Sequence, residues 1–503
     1  MPPASPVAQA LPEPRLLRRL WLGASLYLLV NATAMAWMSG TADQDQAEQL
    51  LRSQNWALGY GAQPPLYTYL VKALLAITGP AVWPLLLLKA GLLSLLVAAV
   101  LGIGKELRLR TDQHLLALSG LALIPQFIWE AQRDLTHSVL ATAVAALTLL
   151  QLLRLLRRPE PLQFVGLGAL AALGLLSKYS FVVFLVSLAI AAFSLPPLRQ
   201  ALLRPALALG VLAGLLVLAP HLSWMLLNSD QALAGLEKTQ SMAGLSWKGI
   251  LSALKAGVAF LSPFWLAALA LLWPQRRQLH VSDGQTEPGQ ALLQRLPLVL
   301  VGVMLVFVLA TGATRIKDRW IQSLLFYAPL SVATLAAPIP RRRLRWLVGA
   351  GLGAAGAAAL LLPGRTALAG LSGKSSRPNH PLPELVAEAA EGRPRPVLIV
   401  ASNGLIGGNA RLVFPEVPVI TPRATLARPT TAGPVLVLLD PADDPAELTP
   451  LLQLPGITAA PGTRLQLAEI SLPEHWNPGR RQAIRYGWLT LATPAAASPS
   501  LAP

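Results

Sequence analysis

The chain has 503 residues, 54% of them hydrophobic and 13% charged, with a formal net charge of +17 and no cysteine. Apolar runs long enough for a hydrocarbon core, for which about 20 residues suffice, recur along most of it and exclude a water-soluble globular enzyme. Disulfides and thiolate metal sites are excluded too, and the arginines gather in short clusters between apolar runs, the pattern of membrane topology rather than of a nucleic-acid partner.

Runs able to span fall near 20–40, 82–103, 113–131, 136–153, 162–177, 180–195, 206–227, 255–273, 296–312, 320–337 and 346–363, eleven in all. The first follows Arg15, Arg18 and Arg19 without a small-residue cleavage site leading into a soluble domain, and reads as a retained signal anchor. With the N-terminus in the cytoplasm, the basic segments Lys105–Arg110, Arg154–Arg158, Arg199–Arg204, Arg276–Arg295 and Arg341–Arg345 all fall inside, as the positive-inside bias requires. Two outer stretches oppose that bias, Ser177-Lys178-Tyr179 and Arg315 to Arg319, and charge held there points to an anionic ligand. The short runs 162–177 and 180–195 fit either two spans or a hairpin or re-entrant pair.

Past residue 364 the chain turns Pro- and Gly-rich and then alternates. Val397–Ser402, Val417–Thr421 and Val435–Asp440 read as strands, and Gly407–Phe414 and Ala446–Gln453 as helices. Residues 364–494 are thus expected to form a small extracytoplasmic α/β domain, followed by a disordered tail over 495–503. The Gly-rich turn from Asn403 to Asn409 admits a phosphate-loop reading, but strand-to-helix backbone geometry is the plainer one where nucleotides are scarce.

The polar segment DQAEQLLRSQNWALGYGAQPPLYTYL, residues 45–70, interrupts two apolar runs. Asp45 stands just beyond the first span, where a membrane enzyme deprotonates an acceptor; equally, Asp43 and Asp45 are placed to solvate a loop or cap a helix beginning at Gln46. Gln46, Gln49, Gln54 and Gln63 offer the donors and acceptors that sugar hydroxyls require, while Trp56, Tyr60, Tyr67 and Tyr69 suit an interfacial belt or stacking on sugar rings. Residues 46–58 read as an interfacial helix, and Gly59 to Pro65 as a sharp turn before a second one. Further on, Asp134 and His137 are three apart and share a face if a helix starts there, which fits a cap with a polar neighbour or a metal ligand pair; Arg133 adjoins them. Taken singly, Lys178, Arg315, Lys317 and Arg319 are snorkelling bases; as two basic outer loops they suit a lipid phosphate.

These segments resemble the GT-C membrane glycosyltransferases of the dolichyl-phosphate-mannose protein mannosyltransferase type, including the lipid A aminoarabinose transferases. The resemblance lies in an acid near a helix start followed by GY, three residues and PP within 45–70, in GLGALAALGLLSKYSFVVFL (166–185), in RDLTHS (133–138) and in RIKDRW (315–320). RPNHPLPELV (377–386) and GGNARLVFP (407–415) resemble a branch with a small outer domain. It implies a polytopic α-helical GT-C domain over 1–363 with about 11 spans, its first outer loop, 41–80, carrying the site. The implied reaction is inverting transfer from a polyprenyl-phosphate-linked sugar to a lipid, glycan or protein acceptor outside the cytosolic leaflet of a bacterial inner or plasma membrane. Carried over, Asp45 is the candidate general base and Asp134 the second acid; Lys178, Arg315, Lys317 and Arg319 contact the donor phosphate. Gln46, Glu48, Tyr60, Gln63, Arg133, His137 and Tyr179 bind substrate. Relatives often pair Asp with Glu at the first site, whereas this chain has Asp45-Gln46, with Glu48 a turn on. No cofactor is firmly implied; a divalent cation is the one candidate.

Two other classes share parts of this pattern. A lipid-linked substrate transporter or flippase would place charge near the bilayer midplane on repeated, interrupted helices. A surface-polysaccharide ligase or polymerase would carry its catalytic groups in a large later loop, here only 228–254 with Glu237, Lys238 and Lys248.

Overall fold

The computed structural model describes residues 11–133, 135–237, 247–373, 375–427, 429, 431–454, 457 and 465–492. The principal helices are α1 (Pro14–Met38), α2 (Gln44–Arg52), α3 (Leu66–Thr78), α4 (Val82–Glu106), α5 (Thr111–Ala122), α6 (Thr136–Arg157), α7 (Pro161–Ser177), α8 (Phe181–Phe193), α9 (Pro196–Leu202), α10 (Leu207–Leu227), α11 (Trp247–Leu261), α12 (Phe264–Leu272), α13 (Pro288–Thr311), α14 (Asp318–Leu325), α15 (Ala328–Leu335), α16 (Arg341–Ala367), α17 (Leu382–Ala389) and α18 (Gly404–Val413). The chain divides into two compact units, the first built from residues 1–31, 57–67 and 89–360, the second from 32–56, 68–88 and 361–503.

Among the described residues, six helices are long and apolar enough to cross a membrane: α1, α4, α6, α10, α13 and α16. Three bent pairs raise the number to nine if each is one span. The expected eleven is not reached by that measure. Run 162–177 is the shorter apolar helix α7. Run 320–337 is two eight-residue helices, α14 and α15.

The breaks have a common cause. The pairs bend by 66° between α5 and Gln126–Arg133, by 112° between α8 and α9, and by 75° between α11 and Phe264–Gln278. Pro125, Pro196 and Pro263 stand at those three junctions, and Pro329 follows the break between α14 and α15. A proline ring clashes with the preceding turn and offers no N–H to it, so a helix ends or kinks there. Within the first unit α6 is the centre: 78% of its apolar window is buried, against 11% for α10.

The second unit is organised by a five-stranded sheet, β1 (Leu398–Ala401), β2 (Val419–Ile420), β3 (Gly433–Leu439), β4 (Ala468–Glu474) and β5 (Asn477–Leu491), in the order β2-β1-β3-β5-β4. β2, β1 and β3 run parallel, and β5 pairs antiparallel with β3 and β4. Strand side chains alternate between faces. Ile399, Ala401, Leu436 and Leu438 therefore pack beneath α17, α18 and Leu51 of α2, while Leu398, Val400, Val435 and Val437 meet Leu448 and Leu451 on the other face. The helix expected over Gly407–Phe414 runs from Gly404 to Val413, and the one expected over Ala446–Gln453 resolves into a 3₁₀ turn at Pro445–Leu448 and a single helical turn at Thr449–Leu452. Residues 495–503 lie outside the described residues.

Candidate functional site

The segment around Asp45 belongs to the second unit. Helix α2 begins at Gln44, two residues before the expected start, and ends at Arg52 rather than at 58. Its N-cap is Asp43: the Asp43 carboxylate accepts the Gln44 N–H at 2.7 Å, and Gln46 Oε1 accepts the Asp43 N–H at 2.9 Å, completing a capping box. Asp43 also pairs with Arg377 at 3.2 Å. The capping role open to either acid thus falls to Asp43, and Asp45 sits half-buried in the first helical turn, where the helix dipole favours an anion. Among the described residues no side chain pairs with its carboxylate. Gln46 is buried, its carbonyl committed to the cap. Glu48 forms an i,i+4 ion pair with Arg52. Among the described residues, no group of three or more His, Asp or Glu side chains is arranged to hold a metal ion.

What holds α2 in place is the Gly-rich stretch near Asn403. Asn403 caps α18, accepting the N–H groups of Leu405 and Ile406 at 3.1 Å. Gly408 lies against Ala47 so closely that a Cβ there would stand 2.3 Å from the Ala47 carbonyl oxygen. Asn409 then bonds Ala42 twice, accepting its N–H at 2.8 Å and donating to its carbonyl at 3.1 Å. These glycines serve helix packing rather than a phosphate. Gln54, just past α2, bonds both the N–H and the carbonyl of Val419, at 2.8 and 3.0 Å, and so closes the open edge of the sheet at β2. Lys72 of α3 donates to the carbonyls of Ser53 and Gln54 at 3.0 and 2.8 Å and covers the Trp56 ring. Burial, with Arg411 nearby, holds the Lys72 ammonium below its usual pKa.

Tyr60, Gln63 and the remaining candidates lie in the first unit. Tyr60 is buried, its hydroxyl accepting the Ala57 N–H at 3.2 Å, and its backbone bridges to that of Gln63 across Gly61, whose φ of +68° makes the expected sharp turn. The turn is anchored by a residue that the sequence reading passed over. His221 of α10 reaches the Leu58 carbonyl with Nδ1 at 2.7 Å and the Tyr179 hydroxyl with Nε2 at 3.2 Å. A carbonyl only accepts, so Nδ1 carries a proton and donates to it; in the neutral tautomer Nε2 is then the acceptor for the Tyr179 hydroxyl. The Tyr179 and Trp224 rings lie nearly parallel to the imidazole, with centroids 5.8 and 5.7 Å away.

Asp134 lies outside the described residues. Beside it, Arg133 pairs with Glu130 at 2.9 Å, at the end of a π-helical turn over Gln126–Glu130. Leu135 is left-handed at φ +70°. Such a residue costs about 1–3 kcal/mol and persists only where its surroundings hold it. His137 is buried, its Nδ1 3.3 Å from the Ser177 carbonyl and its ring against Tyr67.

The bases do gather. Lys178 Nζ donates to Ser138 Oγ at 2.8 Å and to the Arg319 carbonyl at 3.4 Å, tying one basic loop to the other. Arg315, Lys317 and Arg319 line a cavity of about 820 Å³, whose opposite wall is α11 with Lys248, Ser252 and Lys255. Sequence reading left Lys248 in a loop and did not single out Lys255, because it began the span at 255; α11 starts at Trp247, and the 248/255 spacing of seven sets both on one face. Within the cavity lining the carboxylate is Asp318, which accepts from Gln126 Nε2 at 2.9 Å and from the Arg319 N–H at 2.8 Å.

Residues 62–224 match the family described as dolichyl-phosphate-mannose-protein mannosyltransferase. Over 498 residues the chain is 30% identical to the lipopolysaccharide core galacturonosyltransferase RgtB of Rhizobium johnstonii, spanning 93% of this chain and 97% of RgtB. To RgtA of the same organism, also a lipopolysaccharide core galacturonosyltransferase, it is 29% identical over 489 residues, 92% of this chain and 95% of RgtA. Its fold is similar to that of ArnT from Cupriavidus metallidurans. In the apo state the TM-score is 0.60 at 13% identity, covering 93% of this chain and 97% of ArnT. In the structure bound to undecaprenyl phosphate it is 0.58 at 14% identity, covering 94% and 98%.

Proposed function

The chain belongs to the family of the lipopolysaccharide core galacturonosyltransferases, GT-C membrane glycosyltransferases of the dolichyl-phosphate-mannose-protein mannosyltransferase type, and from that premise we propose that it transfers a hexuronosyl group from a polyprenyl phosphate to a hydroxyl of a cell-surface glycan. Its relatives are named as glycosyltransferases, which favours transfer over the transporter alternative. The donor class is supported above all by one observation, the meeting of Arg315, Lys317 and Arg319 around one cavity, on a loop that Lys178 joins through the Arg319 carbonyl. The uronosyl group and the glycan acceptor follow the names of the two relatives.

In this account the acceptor oxygen attacks the anomeric carbon from the side opposite the phosphate. The carbon–oxygen bond to the phosphate breaks, its electron pair stays on the departing oxygen, and the anomeric configuration inverts. Asp45 takes the acceptor proton as the new bond forms. Arginine and lysine side chains stabilise the charge on the departing polyprenyl phosphate, through bidentate and point-charge contacts respectively. Asp134, as the second acid, orients the acceptor. Tyr60, Gln63 and Tyr179 are assigned to binding the sugar, Tyr179 through a hydroxyl that is hydrogen-bonded to His221.

The test is a donor panel. Full-length protein in lipid nanodiscs is given uronosyl, neutral hexosyl and aminopentosyl polyprenyl phosphates with a lipopolysaccharide core acceptor, and the products are weighed by mass spectrometry. An acceptor heavier by one hexuronosyl residue is expected. Transfer only from nucleotide sugars would overturn the reading.

We place the catalytic face and the sheet domain on the extracytoplasmic side. The chain has no cysteine, so Glu469→Cys, at an exposed position of β4, introduces a single thiol. A membrane-impermeant maleimide is expected to label it in intact spheroplasts. Labelling only after lysis would invert the topology.

A further inference from the structure

The cavity between α11 and the 315–319 loop holds more positive charge than a lipid-phosphate donor accounts for. Five bases face it, Lys248, Lys255, Arg315, Lys317 and Arg319, against one carboxylate, Asp318. A sugar–phosphate–lipid diester carries a single negative charge. Like charges drawn into one site disfavour one another unless anions meet them, so a second anionic group on the same ligand is the natural complement.

The bases also divide by element. Arg315, Lys317 and Arg319 stand on the loop, which Lys178 joins through the Arg319 carbonyl at 3.4 Å. Lys248 and Lys255 stand on α11, two helical turns or about 10 Å apart along its axis. Between them α11 is pinned to the loop: the Ile316 N–H donates to Ser252 Oγ at 2.9 Å, and that hydroxyl reaches the Ile316 carbonyl at 3.3 Å. The fit is close, since a Cβ on Gly249 would lie 1.9 Å from the Ala313 carbonyl oxygen. The two lysines are thus held on one face, at either side of the anchor, with exposed side chains reaching into the cavity.

We propose that Lys248 and Lys255 are specificity-determining residues that bind the carboxylate of the transferred uronosyl group, while Lys178, Arg315, Lys317 and Arg319 bind the phosphate. The assignment rests on the uronosyl-transfer reading above. It makes the chain select an acidic sugar by charge, and it predicts discrimination against the same sugar with its carboxylate neutralised.

The experiment compares a uronosyl polyprenyl phosphate with its C6 carboxamide, which keeps size and hydrogen bonding but removes the charge, and adds unglycosylated polyprenyl phosphate as competitor. Wild type is expected to prefer the acid over the amide at least tenfold in kcat/KM. In K248Q/K255Q that preference falls at least tenfold, chiefly through KM for the acid, while the inhibition constant of polyprenyl phosphate matches wild type. Both single variants are made as well, since both side chains are exposed and their loss leaves the Ser252 anchor in place. Equal weakening of acid, amide and polyprenyl phosphate would overturn the assignment and move the lysines to the phosphate; an unchanged preference would overturn it outright. A wild type that transfers no uronosyl group but does transfer a neutral one would instead overturn the underlying functional reading, and is told apart by the wild-type arm alone.

Discussion

Asp45→Asn is expected to lower transfer by about 10²–10⁴-fold, the range for removing a general base, with protein abundance and thermal unfolding close to wild type. The expectation follows from the division of labour at the start of α2, where Asp43 and Gln46 make the capping box and Asp45 takes no part in it. Losing a negative charge in a first helical turn costs about 0.3–1 kcal/mol. A hundredfold fall in rate is about 2.7 kcal/mol, more than that structural effect supplies. Asp43→Ala gives the converse result: the cap and the Arg377 pair are lost and stability falls by about 1 kcal/mol, while transfer per folded molecule is retained. Residual activity within a few-fold of wild type in Asp45→Asn, or loss of protein in step with activity, would remove Asp45 from the mechanism.

Gly408→Val is expected to be among the most damaging substitutions in the second unit. The added Cβ would meet the Ala47 carbonyl oxygen, Cα and carbonyl carbon at 2.3, 2.4 and 2.5 Å, all backbone atoms of α2. No rotamer relieves such a clash, so α2 must retreat from α18, and with it go the paired Asn409–Ala42 hydrogen bonds. Overpacking costs typically about 1–3 kcal/mol and occasionally more. Because α2 carries Asp45, transfer falls with stability. Gly404→Ala is the control: its Cβ would meet only Leu51 Cδ1, at an ordinary 3.8 Å, and an alanine in a helix is favoured over glycine by about 0.5–1 kcal/mol. Thermal unfolding of both variants in detergent, read beside transfer, separates them; comparable stability for the two would show that α2 and α18 are not packed as described.

Much of this was legible in the sequence for physical reasons. The apolar runs mark the long helices because a hydrocarbon-spanning segment needs little beyond length and composition. The short apolar runs 397–402 and 435–440 marked β1 and β3, which pair in parallel. Prolines at 125, 196, 263 and 329 carried the information that those runs are broken, but whether a proline ends a helix or is absorbed depends on what packs around it: Pro220 and Pro297 lie inside unbroken helices.

The cap on α2 was ambiguous from sequence because the pattern of an acid followed three residues later by Gln or Glu fits twice, as Asp43 with Gln46 and as Asp45 with Glu48. Tertiary contacts decide between them, through Arg377 and Asn409, more than 300 residues away in the chain. The β4–β5 hairpin escaped notice because Pro473 and Pro478 interrupt it and β5 carries the charged pair Arg480-Arg481. Lys255 escaped because it opened what read as an apolar span, and His221 because a lone histidine in an apolar helix carries no pattern of its own.

The most direct test of the central claim is a stoichiometric one: proteoliposomes holding wild type or Asp45→Asn are given a doubly labelled uronosyl polyprenyl phosphate, with one label in the sugar and one in the lipid. Wild type is predicted to release one polyprenyl phosphate for each uronosyl group found on the acceptor, and the variant neither. Intact donor crossing the bilayer with both labels together, or equal cleavage by the variant, would contradict the account.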